Sequence, residues 1–237
     1  DTPVLQFFDE ASVENVDGRK RDMTLRDLLT MSDGLVWDES LPYNDPDNSF
    51  AVMAKAHNWV QYTLDLPMGN EPGTVFNYNS GATLVLGHIF RLATGIDIEE
   101  YAVENLFTPL GINDYYWDRT PYGLTDTQEG LYISARSLAK IAQLFLQKGR
   151  WQEEHVIPAA WIEESIAPRY PTGKSDDEAY GYLWWSQPYT FNGKTVRAYF
   201  GKGVGGQRPL FLPELELVIV LTGWNILPGK PFLHAMT

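Results

Sequence analysis

Four extended segments follow one another near the C-terminal end, and the shortness of their links constrains the fold more than any other feature. They cover residues 179–186, 195–200, 208–212 and 217–222, rich in Val, Leu, Tyr, Phe and Trp and separated by turn residues. Links of this length cannot return a chain to the start of a parallel strand, so the segments predict an antiparallel meander. What precedes them reads as helix. Thr24-Leu25-Arg26-Asp27 has the spacing of a capping box and opens a short helix through Leu28 and Leu29, closed by Asp33-Gly34. Helical periodicity returns at 50–62 and 82–93, and from Asp97 with Ile98, Tyr101, Ala102 and Leu106 on one face. Ser134 caps a further helix whose Leu138, Ile141, Ala142, Leu144 and Phe145 repeat until Gly149, and Pro158 begins a last one through Trp161. Residues 24–170 are therefore mainly helical and 179–223 mainly stranded. Helices grouped before consecutive strands predict an α/β protein of the α+β type, an antiparallel sheet flanked by helices, in a single domain over 1–237.

Composition excludes several functions. The 18 Lys and Arg against 31 Asp and Glu give a net charge of -13, with no basic cluster, so nucleic acid is not an expected partner. There is no cysteine, hence no thiol nucleophile, and the four histidines are scattered at His57, His88, His155 and His234, which predicts neither a zinc site nor any other cofactor. No apolar stretch approaches the ~18 residues of a membrane-spanning helix.

One run carries chemistry. Phe76-Asn77-Tyr78-Asn79-Ser80-Gly81 places a tyrosine and a serine two residues apart where an extended piece feeds an apolar helix. Tyr78 reads either as a half-buried aromatic or as a catalytic side chain fixed from both sides. Ser80 reads either as the helix cap or as part of a site.

Taken in order, Met23-Thr24-Leu25-Arg26-Asp27-Leu28-Leu29-Thr30-Met31-Ser32-Asp33-Gly34-Leu35, the Phe76–Gly87 run, Leu106-Phe107-Thr108-Pro109-Leu110-Gly111-Ile112, Gly130-Leu131-Tyr132 with Ser137-Leu138-Ala139-Lys140, and Gly203-Val204-Gly205-Gly206-Gln207 resemble the β-lactamase-related serine hydrolases. That family includes class C β-lactamases, D-alanyl-D-alanine carboxypeptidases, esterases and aminohexanoate-oligomer hydrolases. The resemblance implies a β-lactamase/transpeptidase-like fold and an acyl-enzyme formed on the serine of a Ser-x-x-Lys. In the family this element precedes the Thr-Leu-Arg-Asp stretch, so the nucleophile is expected upstream of Asp1. Asp1-Thr2-Pro3-Val4 begins without an initiator Met, and the chain stops at His234-Ala235-Met236-Thr237 soon after a strand. Both ends read as cut edges, and a missing N-terminal segment or a complementing chain is the expected partner. Ser137-Leu138-Ala139-Lys140 matches the pattern but lies downstream of Tyr78, in an ordinary amphipathic helix, and is not the expected nucleophile.

By the same resemblance, Tyr78-Asn79-Ser80 is the Tyr-x-Asn element. Tyr78 would serve the nucleophile and protonate the leaving group, with Ser80 beside it and Asn79 at the substrate. Serine for asparagine is a departure, since a hydroxyl has less reach and fewer donors than an amide. Gly203, Gly205, Gly206 and Gln207 match the family's edge-strand element, with Gly206 as the catalytic backbone donor of an oxyanion hole and Gly205 as its alternative. A plain glycine turn is the competing reading. The family's lysine is replaced by Gly203, with Lys202 adjacent, and Lys194-Thr195-Val196 lacks the following glycine. Both departures favour an ester or amide substrate over a β-lactam or a carboxypeptidase peptide. A non-catalytic binding or regulatory relative is the alternative. Family membership favours a periplasmic or secreted protein. The aromatics Tyr115, Tyr116, Trp117, Tyr180, Tyr182, Trp184 and Trp185 are expected to pack, and Glu99-Glu100, Glu153-Glu154 and Asp176-Asp177 to be solvated pairs.

Overall fold

The computed structural model describes residues 1–175 and 177–223. Asp176 and His234 of the sequence reading lie outside the described residues. The chain divides into two compact units, Asp1–Glu104 with Tyr116–Tyr132, and Asn105–Tyr115 with Ile133–Thr237.

The first unit is helical: α1 (Gly18–Asp22), α2 (Leu25–Leu29), α3 (Ser49–Met53), α4 (Trp59–Asp65), α5 (Ser80–Thr94) and α6 (Ile98–Ala102). All six are capped by an Asp, Asn or Thr side chain of the preceding residue, and Asp27 completes the capping box at Thr24. α5 is the axis of the unit, with α2, α3, α4 and α6 packed against it. Its Ala82, Leu84, Val85 and Ile89 meet a core that includes Leu28, Met31, Met53, Val60 and Leu64. One cation enters this core. Lys20 is fully buried and donates to the carbonyls of Glu14 (2.8 Å) and Leu64 (2.6 Å), the latter near the negative end of α4.

The helix expected over 50–62 is two helices, because Asn58 accepts the amide of Gln61 (3.1 Å) and starts a new one at Trp59. α5 begins two residues earlier than the periodicity indicated, since its cap is Asn79.

A short ribbon, β1 (Tyr115–Trp117) and β2 (Leu131–Ile133), was not foreseen. The second unit then comprises α7 (Ala135–Leu146), the small hairpin β3 (Arg150–Trp151) and β4 (Glu154–His155), α8 (Ala159–Ile166), and a sheet of β5 (Tyr170–Pro171), β6 (Ala179–Tyr180), β7 (Trp185–Phe191), β8 (Lys194–Phe200), β9 (Arg208–Leu212) and β10 (Leu217–Leu221). Its order is β10-β9-β8-β7-β6-β5, every neighbour antiparallel, as the meander requires. α7 lies on β9 and β10, where Phe145 meets Trp184 and Phe211 with ring centres 4.5 and 6.0 Å away. The strand expected over 179–186 is a hairpin instead. Leu183 has φ 58, and Gly181 donates to Trp184 (2.8 Å), so the chain reverses between β6 and β7. Pro158 sits just outside α8 as its cap rather than in its first turn.

Candidate functional site

In the first unit the turn after α2 is folded into a clasp for the segment carrying Tyr78. Met31 is left-handed (φ 56) and Gly34 has φ 80; a Cβ on Gly34 would lie 2.6 Å from the carbonyl oxygen of Asn70. The clasp holds the segment at three levels. Gly73 N–H donates to Ser32 O (2.8 Å), Asn77 N–H to Met31 O (2.7 Å), and the Asn77 amide to Trp37 O (2.7 Å). Asn79, 1% exposed, caps α5 by accepting from Ala82 N–H (3.2 Å), and its amide donates to both oxygens of Asp33 (3.3 Å each). Asn79 therefore fills the cap that the sequence offered to Ser80, and its amide is engaged on both sides. Asp33 also accepts from Leu35 N–H (2.9 Å). Burial pushes the Asp33 carboxyl up to about 6, against the pull of the Leu35 amide and the Asn79 side chain.

Ser80 is the first residue of α5 and points at a carboxylate that the sequence did not mark. Its hydroxyl donates to Glu39 Oε1 (2.8 Å) and its N–H to Glu39 Oε2 (3.1 Å). Glu39 also accepts from Trp37 Nε1 (3.0 Å) and the Tyr43 hydroxyl (3.4 Å). Tyr78 is half-buried beside this cluster. Desolvation pushes its hydroxyl up to about 12, Glu39 and Glu129 add to the rise, and a hydrogen bond with the Ser80 side chain opposes it. Tyr43 moves the same way, through burial and then Glu39. At neutral pH this surrounding keeps Tyr78 a phenol.

In the second unit, Gly203–Gln207 lies in the link between β8 and β9. Gly206 N–H donates to Gly203 O (3.1 Å) and Gly203 N–H to Gln207 O (2.8 Å), closing a tight turn. Gly205 has φ 94 and Gly206 φ 101, which side chains rarely adopt. Gln207 packs against Gly203, where a Cβ would lie 2.5 Å from its Oε1, and donates to Gly223 O (2.6 Å). Gly206 N–H is thus engaged within the turn, whereas Gly205 N–H has no partner among the described residues. Lys202, next to Gly203, reaches Glu178 Oε2 (2.6 Å) and lies 3.9 Å over the ring of Trp185.

The other residues singled out are placed as follows. Ser137 donates to Asp114 Oδ1 (2.6 Å) and Lys140 to Gly111 O (2.7 Å), so both tie α7 to the 111–114 loop. Lys194 opens β8 opposite Phe191 across the Asn192-Gly193 turn. Tyr115, Tyr180, Tyr182, Trp184 and Trp185 pack on neighbouring rings; Tyr116 is exposed beside Tyr132, and Trp117 donates to Asp126 O (2.6 Å). Glu99 pairs with Arg119, while Glu100, Glu153 and Glu154 face solvent. Among the described residues no three His, Cys, Asp or Glu side chains converge to hold a metal, and no single helix is long and apolar enough to cross a membrane.

The fold and these elements meet known proteins at this point. The β-lactamase family model matches residues 1–223, so the chain belongs to the β-lactamase family. Its mixed helix and antiparallel-sheet structure is that of the β-lactamase/transpeptidase fold. It is similar to monacolin J acid methylbutanoyltransferase of Aspergillus terreus, 34% identical over 47% of this chain and 27% of that protein. It is also similar to the unguisins hydrolase ungD of Aspergillus violaceofuscus, 25% identical over 48% of this chain and 20% of that one. A Bacillus anthracis protein provisionally assigned as a 6-aminohexanoate-dimer hydrolase has the same fold, with TM-score 0.72 and 23% identity over 90% of this chain and 58% of its own. The matches to the two curated relatives thus cover about a quarter of their length. Family members of this kind are hydrolases and acyltransferases, in keeping with acyl-enzyme chemistry at the level of the family.

Proposed function

We propose that this chain supplies the tyrosine and glycine-loop elements of a serine enzyme that transfers the acyl group of an ester or amide through an acyl-enzyme. The observation that carries the reading is Tyr78, fixed at the start of α5 by the Met31–Asp33 clasp and held beside Ser80 and Glu39. A serine outside residues 1–237 attacks the substrate carbonyl. Tyr78 receives the serine proton and later returns one to the leaving group. The oxyanion is held by a backbone N–H of the glycine loop. Gly205 is preferred over Gly206, whose N–H the turn already uses. Asn79, Gly203 and Gln207 act by shaping the site, since each is engaged in holding its own segment.

The substrate class follows from the departures. Ser80 offers one hydroxyl where an amide would read a second group, and Lys202 spends its charge on Glu178. Both support an ester or amide without a carboxylate anchor. The acceptor is water in a hydrolase and a hydroxyl in an acyltransferase; the similarity to a methylbutanoyltransferase favours testing both.

In the intact protein, a fluorophosphonate should label one serine and p-nitrophenyl esters should turn over. Tyr78→Phe should slow acylation by ~10²–10⁴-fold. A fully active Tyr78→Phe protein, or an intact protein inert to both reagents, overturns the reading.

A further inference from the structure

Resting on that reading, we infer that Glu39 is the terminal proton acceptor of a relay that runs from Tyr78 through Ser80. Ser80 has one proton, and it is directed at Glu39 Oε1 at 2.8 Å, while its backbone N–H fixes the other carboxylate oxygen at 3.1 Å. With that proton committed to Glu39, Ser80 Oγ keeps its lone pairs for the Tyr78 hydroxyl, with which it shares a hydrogen bond. The carboxylate is held in place by Trp37 Nε1 and by the Tyr43 hydroxyl from the same loop.

The arrangement resolves a conflict inside the site. The groups acting on Tyr78 are the carboxylates of Glu39 and Glu129, with Tyr43 behind Glu39; both carboxylates disfavour a phenolate. Asp126 and Asp118 in turn face Glu129, so the surroundings are acidic throughout. A tyrosine so placed is a poor base if it must carry the charge itself. It is a competent one if it passes its proton on as it takes another. The nucleophile's O–H breaks as the Tyr78 O–H forms, the original Tyr78 proton moves to Ser80 Oγ, and the Ser80 proton moves to Glu39 Oε1. Tyr78 and Ser80 end neutral, and the charge lost by the carboxylate appears on the oxyanion. The reverse movement delivers a proton to the leaving group. Serine at position 80 then has a purpose that asparagine could not serve, because an amide does not hand a proton through.

Glu39→Gln keeps the shape and, with its oxygen at Oε2, the contacts from Ser80 N–H and Trp37 Nε1; its NH₂ then stands where Oε1 accepted the Ser80 proton, so the basicity and that one contact are removed. In the intact protein it should lower the acylation rate by ~10²-fold. It should also reduce the number of protons in flight in a solvent-isotope proton inventory. Ser80→Ala should have the same effects, and the double variant should be no slower than either single one. A purely structural Glu39 predicts a lower melting temperature with an unchanged proton inventory, and that result overturns the inference. Wild-type protein inert to fluorophosphonate would instead overturn the proposed function; labelling of the wild type with undiminished acylation in Glu39→Gln overturns the relay alone.

Discussion

The Tyr78 segment and the Gly203–Gln207 loop are both rigid, but they are built from different materials. The first adds side chains to two backbone hydrogen bonds: Asn77, Asn79, Asp33, Glu39 and the sulfur of Met31 each make a further contact there. The second is held by its own backbone, with two N–H groups turned onto carbonyls of the loop and two glycines at φ 94 and 101. The difference teaches where each is vulnerable. A side-chain scaffold loses function to isosteric swaps that remove one atom. A backbone scaffold ignores the side chains nearby and is sensitive only to a Cβ that forbids the dihedral angles.

The largest test of the contrast is Tyr78→Phe in the intact protein, which deletes one oxygen. Acylation should fall by ~10²–10⁴-fold while the melting temperature stays within a few degrees, because the ring remains packed. Stopped-flow release of p-nitrophenol measures the first and calorimetry the second. A large drop in stability with an equal loss of rate would mean that Tyr78 is a packing residue.

Asp33 comes next. Its carboxyl is raised from 3.8 to about 6 by burial, so the folded protein binds this proton more tightly than the unfolded chain. The resulting stability is complete below pH ~4 and is lost as the pH rises through about 6, up to ~3 kcal/mol in all. Asp33→Asn should remove this slope. It keeps an oxygen for Leu35 but turns an NH₂ toward the Asn79 amide, at a cost of about 1 kcal/mol at low pH. Urea unfolding at pH 4 and pH 7 should therefore show the variant less stable than wild type at the lower pH and level with it or better at the higher. Parallel pH profiles would show that Asp33 does not carry the penalty.

How much of this was legible follows from how local each signal is. Thr24, Asp97 and Ser134 announced their helices because a cap and its partner lie two or three residues apart. The meander was legible because its links are short. Glu39 was invisible: it meets Ser80 across 41 positions, and nothing in Trp37-Asp38-Glu39 distinguishes it from any acidic loop. The reversal at Leu183 was hidden because a left-handed leucine has no composition signal, and two-residue strands such as β5 and β6 are too short to show alternation. Tyr78 stood out only through the order of motifs around it, not through its own neighbours.

The backbone scaffold has its own test. Alanine at Gly205 or Gly206 should cost about 1–2 kcal/mol through the left-handed dihedral, and at Gly206 the new Cβ meets nothing within 4 Å, so strain acts alone there. If Gly205 N–H is the oxyanion donor, Gly205→Ala should lose more rate than Gly206→Ala at similar stability. Both losses should stay short of the ~10²–10³-fold that deletion of a donor brings, since the N–H itself survives. Equal rates at equal stability would remove the preference for Gly205.

The smallest effect belongs to the motif that most resembles the family's nucleophile element. Ser137 and Lys140 satisfy the Ser-x-x-Lys spacing, yet each spends its polar atom on the 111–114 loop, at Asp114 and Gly111. Ser137→Ala removes one hydroxyl from an exposed carboxylate that retains Ser134 as a partner, so the melting temperature should fall only slightly and fluorophosphonate labelling should be untouched. Lys140→Met should act the same way and by less, because its contact is exposed to solvent. Loss of labelling in a folded Ser137→Ala protein would reverse the assignment, move the nucleophile onto α7, and leave the Tyr78 segment without the partner that its geometry is built to serve.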